Sequence, residues 1–264
     1  NVKICGLRCH DPETKLLESL AVCTGGSLEG LSALRQRHGT EVSIGLNDAD
    51  VALRLLQAVQ SGTQALRVDS VMLAGRWHLP DQTGAEVFRY CSEHSIAVHV
   101  AGVYASGMLA GGSLYEYRKP AMAEKKRLQS WAALCAEHAV SLKAAALAFA
   151  FLPACVSKVA IGLAEASLVA ETVALLAEAK AVPLALWRDA VAKGLLPEGL
   201  VSKRDRPGGG ASSSAESSSS VSSAFSLCIT HGDACEACCK LGEGEVAYCM
   251  ACARAKCAWA YAAH

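Results

Sequence analysis

Short apolar runs alternate with longer amphipathic ones at a spacing of roughly 30 residues, which predicts an α/β chain of parallel strands covered by helices. Two further observations support this. Runs such as Val71-Met72-Leu73-Ala74 and Ile96-Ala97-Val98-His99-Val100 are apolar on successive residues, as strands buried on both faces require. Hydrophobic residues make up 52% of 264 positions, more than enough to fill a core. Five strands are visible, over residues 2–9, 41–46, 68–73, 95–100 and 155–161. Periodicity alone fits both the later strands of a (β/α)8 barrel and a small open doubly wound sheet.

Each strand run is bounded by polar or glycine signals, and helical spacing follows it. The first helix is expected over 27–37 and the second over 48–60, with Asn47 or Asp48 able to cap it. A third is expected over 84–94. Two more, over 121–138 and 141–151, lie between the fourth and fifth strands. Ser141 before a run of alanines is a suitable N-cap. The last two helices are expected over 166–179 and 184–192, with Pro183 suited to a first-turn position.

Composition divides the chain into three parts: an α/β region over 1–202, a Ser/Gly-rich flexible linker over 203–227, and a cysteine-rich tail over 228–264. Lys+Arg and Asp+Glu are 25 each, for a net charge of +0, which argues against nucleic acid as a general partner. No apolar run reaches the ~18 residues of a membrane span. Residues 1–9 carry no signal-peptide pattern, and the chain opens on Asn1, so it is read as an incomplete, fragment-like sequence. Of 13 cysteines, Cys5, Cys9, Cys23, Cys91, Cys135 and Cys155 are scattered, as small buried hydrophobes in a reducing compartment would be. A cytoplasmic location is the corresponding expectation.

Five stretches, in order, carry a resemblance to a known family. They are Leu7-Arg8-Cys9-His10-Asp11-Pro12-Glu13, Ile44-Gly45-Leu46-Asn47-Asp48 and Val71-Met72-Leu73-Ala74-Gly75-Arg76-Trp77-His78-Leu79-Pro80-Asp81-Gln82. Tyr104-Ala105-Ser106-Gly107-Met108-Leu109-Ala110-Gly111-Gly112 is the fourth, and Leu186-Trp187-Arg188 with Gly194-Leu195-Leu196-Pro197 the fifth. Together they resemble the C-terminal part of the aldo-keto reductases, and most closely the aldose and pyridoxal dehydrogenases among them. The resemblance implies a partial TIM (β/α)8 barrel holding strands four to eight. It implies an oxidoreductase that uses NADP or NAD on a small carbonyl or hemiacetal substrate, oxidising the hemiacetal to a lactone or reducing the carbonyl.

The site residues follow from the same resemblance. His10 is the catalytic candidate, a neutral imidazole able to donate to a substrate oxygen; taken alone, His-Asp-Pro reads equally as a turn. Asn47 matches a carboxamide-binding asparagine, in a loop about one residue short of the family's. Tyr104, Ser106 and Gly107 match a loop along the cofactor's ribose and pyrophosphate, and Gly162 a phosphate-loop glycine. Ala164 and Thr172 depart from the family, the first replacing a basic residue and the second an asparagine. The family's Asp, Tyr and Lys have no matching positions here, so this chain alone is expected to be a poor reductase. A catalytically dead, reductase-derived binding protein is the alternative.

In the tail, Cys235 and Cys238 are followed after ten residues by Cys249 and Cys252. Two such pairs suit one tetrahedral zinc ion. Lys240, Arg254 and Lys256 stand against Asp233, Glu236, Glu243 and Glu245, a slightly acidic balance that favours a protein partner. Five barrel strands without their first three neighbours also predict two unpaired sheet edges and self-association.

Overall fold

The computed structural model describes residues 6–10, 26–61, 67–198, 200, 226–230, 246–247 and 260–261. The five expected strands are β1 (Gly6–His10), β2 (Glu41–Leu46), β3 (Ser70–Ala74), β4 (Ala97–Ala101) and β5 (Val156–Gly162). Helices α1 (Leu28–His38), α2 (Ala49–Ser61) and α3 (Ala85–Glu93) connect the first four. α4 (Met122–Glu137) and α5 (Leu142–Ala150) precede β5, and α6 (Ala166–Lys180) and α7 (Leu184–Ala192) follow it. Every neighbouring pair from β1 to β5 is parallel. This is an α/β fold, a part of a TIM-type barrel.

Local chemistry accounts for the helix ends. Gly39 takes a left-handed φ of 65° after α1 and donates its N–H to the Arg35 carbonyl. Arg35, Arg37 and His38 fill the last turn of α1, where its dipole favours cations. Asp48, not Asn47, caps α2: its Oδ1 accepts the Val51 N–H at 3.0 Å. Ser141 caps α5 by accepting the Ala144 N–H at 3.1 Å. Pro183 stands at the N-cap of α7 with extended backbone, one position earlier than a first-turn proline.

The strands separate two chemistries. Val42, Ile44, Val71, Leu73, Val98, Val100, Val159 and Ile161 are buried in the apolar core with the helices. The alternate residues build a polar row. The Arg8 Nε donates to Ser43 Oγ at 2.9 Å, its Nη1 reaches the Met72 sulfur at 3.5 Å, and its Nη2 meets His99 Nδ1. A register shift on β5 places Lys158 opposite His99. Burial, then the charges of Arg8 and Lys158, lowers the His99 pKa to about 3. The imidazole is therefore neutral at pH 7, and its lone pair can accept from Arg8.

Three further strands complete the sheet: β6 (Ser226–Thr230), β7 (Val246–Ala247) and β8 (Ala260–Tyr261). β6 lies parallel to β5, from Lys158↔Ser226 to Gly162↔Thr230, and β7 lies on β6. β8 lies parallel to β1, pairing Leu7 with Ala260 and Arg8 with Tyr261. The order is β7-β6-β5-β4-β3-β2-β1-β8. Segments read as linker and tail thus satisfy the backbone groups of β1 and β5, the two edges expected to be bare. Removing residues 203–264 should expose both edges and convert the protein to dimers or larger species. Light scattering after size exclusion, on the full and shortened chains at equal concentration, checks this; an unchanged monomer would contradict it.

Candidate active site

Parallel pairing gathers the C-terminal ends of five strands at one end of the sheet. His10 is the last residue of β1, in register with Gly45 of β2. Asn47 stands one residue beyond β2, and Gly162 ends β5. Tyr104, Ser106 and Gly107 lie in the loop after β4. All the sequence-expected rim residues, at the ends of four strands, therefore share one end of the sheet, the position at which barrel enzymes carry their chemistry. Cys235, Cys238, Cys249 and Cys252 lie outside the described residues. Among the described residues, no group of three or more His, Cys, Asp and Glu is placed to hold a metal ion. No single helix there is long and apolar enough to cross a membrane.

The loop after β3 is the organiser of this rim, and sequence reasoning assigned it no role. Trp77 anchors it. The indole is buried, stacks on Phe149 at 5.0 Å between ring centres, tilts against Phe88 at 4.4 Å, and donates Nε1–H to the Phe149 carbonyl at 3.3 Å. Arg76 is held beside it and joins three loops. Its Nε donates to the Asn47 carbonyl at 2.8 Å, and its Nη1 lies 3.1 Å from Asp81 Oδ2 and 2.5 Å from Glu116 Oε1. Burial works to lower the Arg76 pKa, but Glu116 and Asp81 more than offset it and the guanidinium is held charged. Burial likewise pushes Asp81 upward; bonds from the Thr83 hydroxyl at 2.7 Å and N–H at 2.8 Å help bring it below the usual range.

The consequence for Asn47 is specific. Its backbone is clamped by Arg76, its neighbour Asp48 serves as the helix cap, and its side chain is exposed. The carboxamide makes no hydrogen bond among the described residues, so it is free to meet a ligand. Ser106 and Gly107 follow Ala105 in left-handed conformation, with φ of 56°, 94° and 50° respectively. The Ser106 hydroxyl accepts the Tyr117 N–H at 3.3 Å, fixing this turn to the tight turn closed by the Tyr115–Arg118 bridge. Gly102 is required here: its φ is 75°, and a Cβ would stand 3.0 Å from the Gly75 backbone nitrogen. Tyr104 differs from a solvent-facing hydroxyl. Its oxygen is buried without a hydrogen-bond partner among the described residues, and burial, then Glu171, raises its pKa. Thr172 turns its hydroxyl back onto the Leu168 carbonyl at 2.7 Å, within α6 and away from any ligand.

His78, in the loop after β3, is a buried imidazole at this rim. Burial lowers its pKa to about 4 against the opposing pull of Asp81, and its Nδ1 has no hydrogen-bond partner among the described residues. The ring meets Tyr115 edge-on at 5.9 Å. Burial, then Asp81, pushes the Tyr115 phenol up to about 12. Both groups are neutral at pH 7, so the loop carries its ionic bonds at Arg76 alone.

Two outcomes follow. Arg76→Met should cost about 1–3 kcal/mol of stability, because it leaves Asp81, Glu116 and the Asn47 carbonyl without their donor; urea unfolding measures it. Acid should also unfold this protein early. The unfolded chain protonates His78 and His99 near 6.5, whereas the folded chain resists down to about 4 and about 3. The unfolded state then binds more protons, so stability is complete above pH 6.5 and lost below it, by up to ~1.4 kcal/mol per pH unit for each imidazole. His78→Asn should make unfolding free energy less dependent on pH across that window. An unchanged slope would contradict the assignment.

Comparison with known proteins identifies the family and the fold. Residues 7–182 match the aldo/keto reductase family. The chain is 32% identical over 200 residues to a D-threo-aldose 1-dehydrogenase of Pseudomonas sp, covering 72% of this chain and 56% of that protein. It is 27% identical over 185 residues to a pyridoxal 4-dehydrogenase of Microbacterium luteolum, covering 67% and 51%. It spans about half the length of these curated relatives. The solved holo structure of an aldo-keto reductase from Bacillus halodurans shares the fold, with a TM-score of 0.50 at 17% identity over 77% of this chain and 65% of that one. The chain belongs to the aldo/keto reductase family of oxidoreductases.

Proposed function

We propose that this chain forms the dinucleotide-binding and substrate-orienting half of an NAD-dependent oxidoreductase acting on an aldose or a comparable hemiacetal. One observation carries the reading: His10, Asn47, the 104–107 loop and Gly162 stand at the ends of neighbouring parallel strands, on one rim. The dinucleotide, when bound, accepts a hydride from the hemiacetal carbon or returns one to the carbonyl. The residues here fit its nicotinamide end. The exposed Asn47 side chain is free to bond the ring's carboxamide, and Arg76 holds Asn47 in place. His10 stands at the strand end where an imidazole would orient the substrate oxygen. Gly162 is exposed and admits close approach of a phosphate to the backbone.

NAD is favoured over NADP by the chemistry after β5. Residues 162–165 are Gly-Leu-Ala-Glu, with no cation to meet a 2′-phosphate and with the Glu165 carboxylate nearby. The aldose substrate is supported by the activity for which the Pseudomonas relative is named, and a hemiacetal of pyridoxal by that of the Microbacterium relative. Cys91, Cys135 and Cys155 are free thiols among the described residues, which supports a reducing, cytoplasmic setting.

Ala164 and the turned-in Thr172 favour a second reading, a binding protein that has lost dinucleotide affinity. In it the two Cys-x-x-Cys pairs would form a zinc module for a protein partner, a proposal that rests on the tail's cysteine spacing.

Calorimetric titration of the full chain with NADH and with NADPH separates the two. The enzyme reading expects saturable NADH binding, weaker NADPH binding, and a loss of about tenfold in Asn47→Ala, equivalent to ~1.4 kcal/mol. Absence of binding to both nucleotides would leave the binding-protein reading in its place. Zinc content near one ion per chain in reducing buffer, lost in Cys238→Ala, is then the expected result for the tail.

A further inference from the structure

Tyr117 is 91% exposed, more than any other large hydrophobic side chain among the described residues. It stands in a tight turn that Tyr115 and Arg118 close through two backbone hydrogen bonds, of 2.8 and 3.0 Å. Glu116 and Tyr117, the two central residues, both take left-handed backbone, with φ of 47° and 61°. A bulky side chain is strained in that region, where glycine and asparagine are the ordinary occupants. Strain kept in an exposed loop points to a use for the side chain that causes it.

The other three side chains of the turn bond within the protein. Tyr115 is buried, edge-on to the His78 ring. Glu116 Oε1 lies 2.5 Å from Arg76 Nη1, and the same guanidinium holds the Asn47 carbonyl. Arg118 pairs with Glu124 of α4 at 2.5 Å. The Tyr117 backbone is tied as well, its N–H donating to Ser106 Oγ at 3.3 Å. The turn is therefore joined on one side to Asn47, the proposed nicotinamide contact, and on the other to Ser106, in the proposed ribose loop. The Tyr117 ring and hydroxyl make no ring contact or hydrogen bond among the described residues. They stand free at the part of the rim where hydride transfer requires a substrate to lie.

We propose that Tyr117 is a substrate-contacting residue that sets specificity: its ring stacks on the C–H face of a neutral aldose ring held at the nicotinamide. This rests on the dinucleotide-binding reading of the rim. A cyclic hemiacetal carries its hydroxyls around the ring and C–H groups on its faces. Those C–H groups meet the negative face of an aromatic ring, and the phenol adds a polar tip that can bond a hydroxyl. Tyrosine also supplies large contact area with only two side-chain torsions to fix. The local charges suit a neutral guest. Arg76 is matched by Asp81 and Glu116, and Arg118 by Glu124, so neither arginine is left to draw an anionic sugar.

Saturation-transfer NMR on the full chain at saturating NADH, with the pentose D-arabinose as probe, tests this beside calorimetric titration of NADH itself. The expected result is saturable pentose binding, weakened about tenfold by Tyr117→Ala and kept within about twofold by Tyr117→Phe, with NADH affinity unchanged in both. Tyr117→Asn should lose pentose affinity to the same extent while raising the urea midpoint, because asparagine suits left-handed backbone. Unchanged pentose affinity in Tyr117→Ala overturns the inference. So does a matching loss of NADH affinity in that variant, which would make the residue a nucleotide contact. A loss in Tyr117→Phe as deep as in Tyr117→Ala, or a lower urea midpoint in Tyr117→Asn, overturns it too. NADH binding without pentose binding overturns this inference alone. Absence of NADH binding overturns the dinucleotide reading and this inference with it.

Discussion

Parallel pairing in register, from β1 through β5, is the constraint on which everything else rests. Each pair shares a direction, so each chain return needs a crossover, and helices supply it. The same geometry sends every strand's C-terminal end to one rim. Residues as far apart in sequence as His10 and Gly162 thereby stand at the same end of the sheet. Loops can then vary in chemistry while the strands keep the spacing.

That rim needs rigidity, and its source is an unequal division of labour in the loop after β3. Trp77 supplies hydrophobic anchorage, wedged between α3 and α5. Arg76, fixed next to it, spends its donors on the loops after β2, β3 and β4. The guanidinium is suited to this because its donors point in several fixed directions, which a lysine's ammonium does not match. Free placement of the Asn47 carboxamide depends on this arrangement. With Asp48 acting as cap and Arg76 holding the Asn47 carbonyl, no described residue competes for the side chain.

Much of the α/β region was legible from spacing. β2 spans residues 41–46 as its apolar run implies, and Ser141 caps α5 as a serine before a helical run should. The choice between Asn47 and Asp48 as cap was open in the sequence, because both residue types cap well and only backbone geometry selects one. Arg76 was not legible as a hub. Its partners Asn47 and Glu116 lie 29 positions before and 40 after it, and no local pattern marks such a pair. The strands of the tail were missed for another reason. Serine-rich and cysteine-rich surroundings mask short runs such as Ser226-Leu-Cys-Ile-Thr230, whose β-branched residues suit a strand only once β5 offers a partner.

The polar row inside the sheet poses a separate physical question, because a buried cation such as Arg8 is costly unless its donors are met. Three neighbouring strands meet them with a hydroxyl, a thioether and an imidazole. The His99 imidazole can serve as acceptor only while neutral, and burial together with Arg8 and Lys158 keeps it so. The arrangement is self-consistent: the cation that needs an acceptor also suppresses the protonation that would remove it. It is also brittle toward acid. Protonating His99 would place two cations against each other in a buried layer that β1, β2, β3 and β4 share. Those strands carry the His10 and Asn47 ends of the rim, so the integrity of the site and the charge state of one buried histidine are linked through the sheet itself.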